Sequence, residues 1–338
     1  MLARNRDNNM ADLLQRTGHH WEHLQNPVLG TMNKFSESLV RLETKYPNLL
    51  PDIRRGSVIF IGSDYGGQHS VAQYESLAFL FADLEHCHEW EQQRRQFRQT
   101  LLSDGRRLSY KTLGDRNRRR ALFPFLTAAN SIPGITVTIL IDKKIESLFQ
   151  REGRLKTAAS ELQEYSHWDD RVFEKLLRVV HWCSFFLAGL SRLHQDVLWF
   201  TDEDAIVANE ERLREFVKIF EKVAGHYMSH TLGHVRIGTT KSDTGSRDIE
   251  DLVAIPDIVA GSLCEILTEY YKLGGLPSSE LMLPLPPSSP KKTKEVMNWF
   301  ADHTQPLKRL VYLLEEEKDS KALNLRYIRF HGLLDYAC

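Results

Sequence analysis

Three short runs of β-branched and aromatic residues do most to limit the folds open to this chain. They are SVIFIGS (57–63), ITVTILI (135–141) and DVLWF (196–200). Runs of this kind, apolar at nearly every position and closed by turn formers, read as central strands covered on both faces. Helical patterns fill the intervals: Glu89 to Leu102, Arg116 to Asn130, Asp169 to about His194, and Glu210 to Met228. HVRIGTT (234–240) reads as a further strand, and VAQYESLAFLFAD (71–83) as extended chain. Alternating strands and helices predict an α/β domain over residues 56–272. A helical N-terminal extension (1–55) precedes it. A Pro/Ser-rich linker (273–292) and a C-terminal appendage (293–338) follow, with helices expected at Lys294–Ala301 and Leu307–Glu317 and a strand at LNLRYIRF.

The strands share a second property, because each closes on acid. Asp64 follows the first, Asp142 the second, and Asp202 and Asp204 the third. Ligand sites in open α/β sheets lie beyond the carboxyl ends of strands. Hard cations such as Mg²⁺ and Mn²⁺ take oxygen ligands, and a pair of them serves hydrolysis of a phosphodiester. Asp257, expected in the first turn of a helix over 255–271, is a further candidate, with Gly261 one turn on. For any one acid alone, a role in a turn or at a helix start is the commoner explanation. Recurrence after three strands weakens that explanation for the set.

The ordered motifs IGSDYGG (61–67), LIDKK (140–144), LWFTDED (198–204) and IPDIVAG (255–261) resemble the RNase H-like family known as domain of unknown function 3800. The family pattern opens with a strand ending D-E-S-G and carries a D-K pair at the end of a middle strand. It closes on a helix with an Asp before Ala-Gly. The resemblance implies an RNase H-like mixed sheet flanked by helices. It also implies a divalent-metal-dependent nuclease in which Asp64, Asp202, Asp204 and Asp257 are catalytic. These four, with Asp142, would hold Mg²⁺ or Mn²⁺. The chain departs from the pattern at Tyr65, where the family has an acid, and at Ile255 and Pro256. Those departures imply a distant branch or a degenerate active site, and the lost acid at Tyr65 favours the rival expectation of a catalytically inactive RNase H-like binding or scaffold protein.

Charge adds a partner class. The total is balanced, 44 Lys+Arg against 45 Asp+Glu, which excludes a globally polycationic binder. Locally the balance breaks. Arg94, Arg95, Arg98, Arg106, Arg107, Lys111, Arg116, Arg118, Arg119 and Arg120 face only Asp104 and Asp115, a net +8. Such a stretch predicts contacts to a DNA or RNA backbone, with Phe97 and Tyr110 placed to stack on bases. Residues 196–215 are net −5. No apolar run is long enough for a bilayer, and four scattered cysteines fit a reducing compartment. A cytoplasmic protein that does not enter membranes is expected. GSDYGG lacks the following Lys-Ser/Thr of a phosphate loop, and G-x-S-x-G is absent. EHCHE (85–89) has no zinc-site spacing, and His69 after the glycine turn could assist a proton transfer.

Overall fold

A computed structural model describes residues 21–24, 30–148, 164–243, 245–276, 282–317 and 322–330. Residues 1–20 of the expected N-terminal extension, 277–281 of the expected linker and the last eight residues lie outside the described chain.

The architecture is the expected mixed sheet flanked by helices. Strands β1 (Val58–Gly66), β2 (Tyr74–Asp83) and β3 (Gly134–Asp142) run antiparallel in sequence order. On the far side of β1, β4 (Asp196–Thr201) pairs parallel to it, and β5 (Val235–Thr239) parallel to β4. Beyond β3 lie β7 (Leu307–Glu316), parallel to β3, then β8 (Leu323–Phe330) and the two-residue β6 (Met282–Leu283). The full order is β5-β4-β1-β2-β3-β7-β8-β6.

The C-terminal segment thus continues the sheet. Leu307–Glu316 was expected as a helix from its apolar spacing, yet it is a strand, buried at most positions between β3 and β8. Registry with β3 over eight residues, Gly134↔Leu307 to Ile141↔Leu314, overrides the local pattern.

Helices cover both faces. On one side lie α1 (Thr31–Lys45), α4 (Asp170–Leu190) and α5 (Glu210–Tyr227). They pack on Ile59, Ile61, Tyr65, Leu77 and Phe79. On the other lie α2 (His88–Leu101), α3 (Arg116–Ala129), α6 (Asp248–Lys272) and α7 (Lys291–Ala301), against Phe60, Leu80, Leu140 and Leu313. Strand alternation sorts β1 cleanly. Ile59, Ile61, Ser63 and Tyr65 face one layer, and Phe60, Gly62, Asp64 and Gly66 face the other. Among the described residues no helix is long and apolar enough to cross a membrane.

Candidate active site

Helix α6 is the element that builds the site. It begins at Asp248, not at Ile255 as expected, because Asp243 accepts from the backbone N–H groups of Ile249 and Glu250 and organises an earlier start. Pro256 therefore sits inside the helix, where it removes the bond to the Leu252 carbonyl. Asp257 is likewise interior, so a dipole-complementing role in a first turn does not explain it.

Two glycines let α6 lie close on β1. A Cβ on Gly62 would stand 3.5 Å from the Leu252 carbonyl oxygen and the Val253 Cα, and one on Gly66 3.3 Å from Cys264 Sγ. Asp64 lies between them on the same face of β1, beneath α6. A third glycine, Gly261, accepts the Tyr110 ring, since a Cβ there would come within 2.3 Å of it. The segment 110–112 is a tight turn whose Tyr110 N–H donates to Asp257 Oδ2 at 2.6 Å.

Asp202 arrives from the neighbouring strand. The last paired residues of β1 and β4 are Ser63 and Thr201, so Asp64 and Asp202 are the next pair along. The Asp202 N–H donates to the Ser63 carbonyl at 3.3 Å, and Thr240 Oγ1 donates to Asp202 Oδ1 at 3.1 Å. Asp64, Asp202 and Asp257, from three separate elements, line one cavity of about 1220 Å³. Each is only partly exposed. Burial pushes the Asp64 carboxyl well above its usual range, and the charges of Asp257 and Asp202 push it further. Asp257 rises to about 6, through burial first and the charge of Asp202, against the Tyr110 N–H and the nearby Lys111 and Lys292.

Asp204 also lines the cavity but has a different role. It is paired with Lys175 at 2.6 Å, accepts from Gln68 Nε2 at 3.0 Å, and is held below the usual carboxylate range although burial alone would raise it. Lys175 additionally stands over the Tyr65 ring at 4.8 Å. Asp142 is not part of this group. It accepts from Gln73 Nε2 at 2.6 Å and from the Lys144 N–H at 3.0 Å, closing the turn after β3. Its expected metal role has no support in its surroundings.

No protein-family model matches this sequence, and no curated protein is significantly similar to it.

Most of the expected nucleic-acid surface is engaged internally. Arg94 and Arg98 are buried, because Asp251 on α6, itself 1% exposed, receives both guanidinium groups. Arg94 also meets Asp248 and the Ser246 carbonyl. Arg107 pairs with Glu250, Arg119 with Glu295, and Arg106 with Asp104 and Asp115. Arg118 donates to the Arg107 carbonyl at 2.7 Å, and Arg95 meets Glu91 at 3.6 Å. Arg94, Arg98, Arg107 and Arg119 tie α2, α3 and their connecting loop to α6 and α7. Arg116 and Arg120 are exposed but lie outside the cavity lining. Of the ten basic residues of the stretch, Lys111 lines the cavity. Phe97 and Tyr110, expected to stack on bases, are buried, Phe97 against the Phe125 ring and Tyr110 against Gly261.

Among the described residues no group of three or more His, Cys, Asp or Glu side chains is placed to hold a metal ion. Within EHCHE, Cys87 is buried and donates to the Asp83 carbonyl, and His86 meets Asp83 Oδ2 at 2.8 Å. His69 lines the cavity and is exposed. The chemistry of the carboxylate trio still suits a hard cation. Its donors are all oxygens, and no Lys or Arg pairs directly with any of the three among the described residues.

Proposed function

We propose that the chain hydrolyses phosphodiester bonds in DNA or RNA at the Asp64–Asp202–Asp257 trio, with Mg²⁺ or Mn²⁺ bound there. The observation that carries this reading is the convergence of three carboxylates, from β1, the end of β4 and the middle of α6, on one cavity. Neighbouring acids such as Asp204 are neutralised by dedicated partners, whereas the trio is not. Partly buried like charges raise one another's free energy, and a divalent cation removes that cost. Strand order adds support, since a first strand ending in acid, followed by a hairpin and flanked by a parallel β4, fits the RNase H-like resemblance.

When bound, the ion would supply charge neutralisation at the phosphate and a more acidic water. The chain's own residues prepare the rest. Thr240 and the Ser63 carbonyl fix the Asp202 side chain and backbone. The Tyr110 N–H orients Asp257, and Lys175 keeps Asp204 out of the trio. Tyr65 does not speak for the inactive alternative. Strand alternation points it to the opposite face, where its hydroxyl meets Ser63 Oγ at 2.9 Å and Thr201 Oγ1 at 3.3 Å. An acid in its place would not reach the trio without reorienting the strand.

Cleavage of end-labelled single- and double-stranded oligonucleotides tests the reading, with Mn²⁺, with Mg²⁺ and with EDTA. Wild type should cut only with metal, and Asp64→Asn should lose at least ~100-fold, the scale of removing a key electrostatic group. Equal cleavage by both proteins would remove Asp64 from the chemistry.

A further inference from the structure

Most arginines of the basic stretch are paired within the fold, whereas the cavity holds cations that are not. Three lysines line it with no ion pair among the described residues: Lys111, Lys241 and Lys292. They come from three separate places. Lys111 belongs to the turn that Tyr110 pins to α6. Lys292 stands in the first turn of α7, with its Nζ 3.8 Å from the centre of the Tyr110 ring. Lys241 follows β5, next in sequence to the Thr240 that holds Asp202.

Their placement brackets the acids. Lys111 and Lys292 lie on the Asp257 side, near enough for their charges to act on that carboxyl. Lys241 lies on the Asp202 side. Helix stability does not account for Lys292, because Lys291, Lys292 and Lys294 crowd the first turn of α7 without an acid among them, and a cation there opposes the helix dipole. By contrast Lys272, at the rim of the same cavity, is paired with Glu269 at 2.7 Å.

We infer that Lys111, Lys241 and Lys292 form a phosphate-binding track that carries a single-stranded nucleic acid across the carboxylate trio. The inference deepens the hydrolytic reading and rests on it for the position of the scissile bond. A concave cavity, larger than the ~300–1,000 Å³ usual for small ligands, suits a flexible strand better than a rigid duplex. Contact is to the backbone, not to bases. Tyr110 at the cavity and Tyr65, whose ring turns to the opposite face, are buried, and Lys292 and Lys175 stand over their rings. Without an open aromatic platform, base stacking contributes little, and binding is independent of sequence.

The test uses the full chain carrying Asp64→Asn, labelled single strands of DNA and RNA of two unrelated sequences, and 50–200 mM salt with Mg²⁺. Each lysine–phosphate contact on a single strand contributes roughly −0.7 to the slope of log K against log salt. Adding Lys111→Gln, Lys241→Gln and Lys292→Gln together should flatten the slope by about 2 and weaken binding of all strands alike. Adding Arg95→Gln, Arg116→Gln and Arg120→Gln instead should leave both unchanged, with melting temperatures confirming that each variant is folded. An unchanged slope in the lysine variant, or no binding by Asp64→Asn itself, overturns the track. Preferential loss for one sequence overturns the backbone-only mode. Lysine-dependent binding in a chain whose wild type never cleaves would retain the track and overturn the hydrolytic reading. Metal-dependent cleavage indifferent to the lysines would do the reverse.

Discussion

At the scale of single residues, acids of one type divide by their partners. Asp204 has Lys175, Asp142 has a turn, and Asp251 has two arginines. Asp64, Asp202 and Asp257 have each other. It follows that Asp257→Asn should melt a few degrees higher than wild type in a chelating buffer near pH 8, because it removes a largely buried carboxylate charge that burial and the charge of Asp202 disfavour. A fall in melting temperature, read by scanning calorimetry, would show that these charges are compensated. The opposite behaviour is expected at Asp251. Asp251→Asn leaves buried Arg98 without a carboxylate and Arg94 with Asp248 alone, and should cost about 3–5 kcal/mol, measured by urea denaturation. Oligonucleotide affinity of the folded fraction should be unaffected. Asp64 and Asp202 were legible in the sequence as strand-terminal acids and Asp257 as a helical one, but the choice between Asp202 and Asp204 was not. It depends on Lys175, on a different helix and 29 residues from Asp204. The basic stretch misled for a related reason, since its neutralising acids Asp248, Glu250 and Asp251 lie about 150 residues further along the chain.

At the scale of elements, the site depends on how closely α6 approaches β1 and the 110–112 turn. Gly261→Val places carbon where the Tyr110 ring lies, so the turn must move or the helix must shift. A cost of about 1–3 kcal/mol is expected, with loss of cleavage exceeding the loss of folded protein, because the Tyr110 N–H leaves Asp257. Retention of full activity would mean that the turn does not position Asp257. The central strands and the long helices were readable from β-branched runs and helical spacing. Leu307–Glu316 was not, because its apolar residues fit a helix as well as a strand and only the open edge of β3 decides. The same holds for the start of α6, which is set by the side chain of Asp243 rather than by apolar periodicity.

At the scale of the whole molecule, two helical layers enclose a continuous sheet, and that enclosure carries its own pH dependence. His181 on α4 is packed against α5, where its Nδ1 meets the Tyr227 hydroxyl at 2.8 Å. Burial, with the neighbouring His226, lowers it to about 4 from an ordinary 6.5. The folded state therefore holds His181 neutral, so its contribution is complete above pH 6.5 and is lost as pH falls toward 4. At about 1.36 kcal/mol per unit, the loss approaches ~3 kcal/mol, and His181→Gln should flatten the pH–stability curve in that window. An unchanged curve would place the acid sensitivity elsewhere. The mixed sheet with covering helices was legible from the alternation of patterns, whereas the joining of 307–330 to the same sheet was not, because a pairing with residues 173 positions earlier leaves no local mark. What this architecture finally does is bring three distant carboxylates to one cavity. Calorimetric titration of Mn²⁺ into wild type, Asp64→Asn, Asp202→Asn, Asp257→Asn and Asp142→Asn tests that most directly. Binding should be retained in wild type and Asp142→Asn and weakened at least ~10-fold in the other three. Equal affinity in all five proteins would contradict a metal site built on Asp64, Asp202 and Asp257.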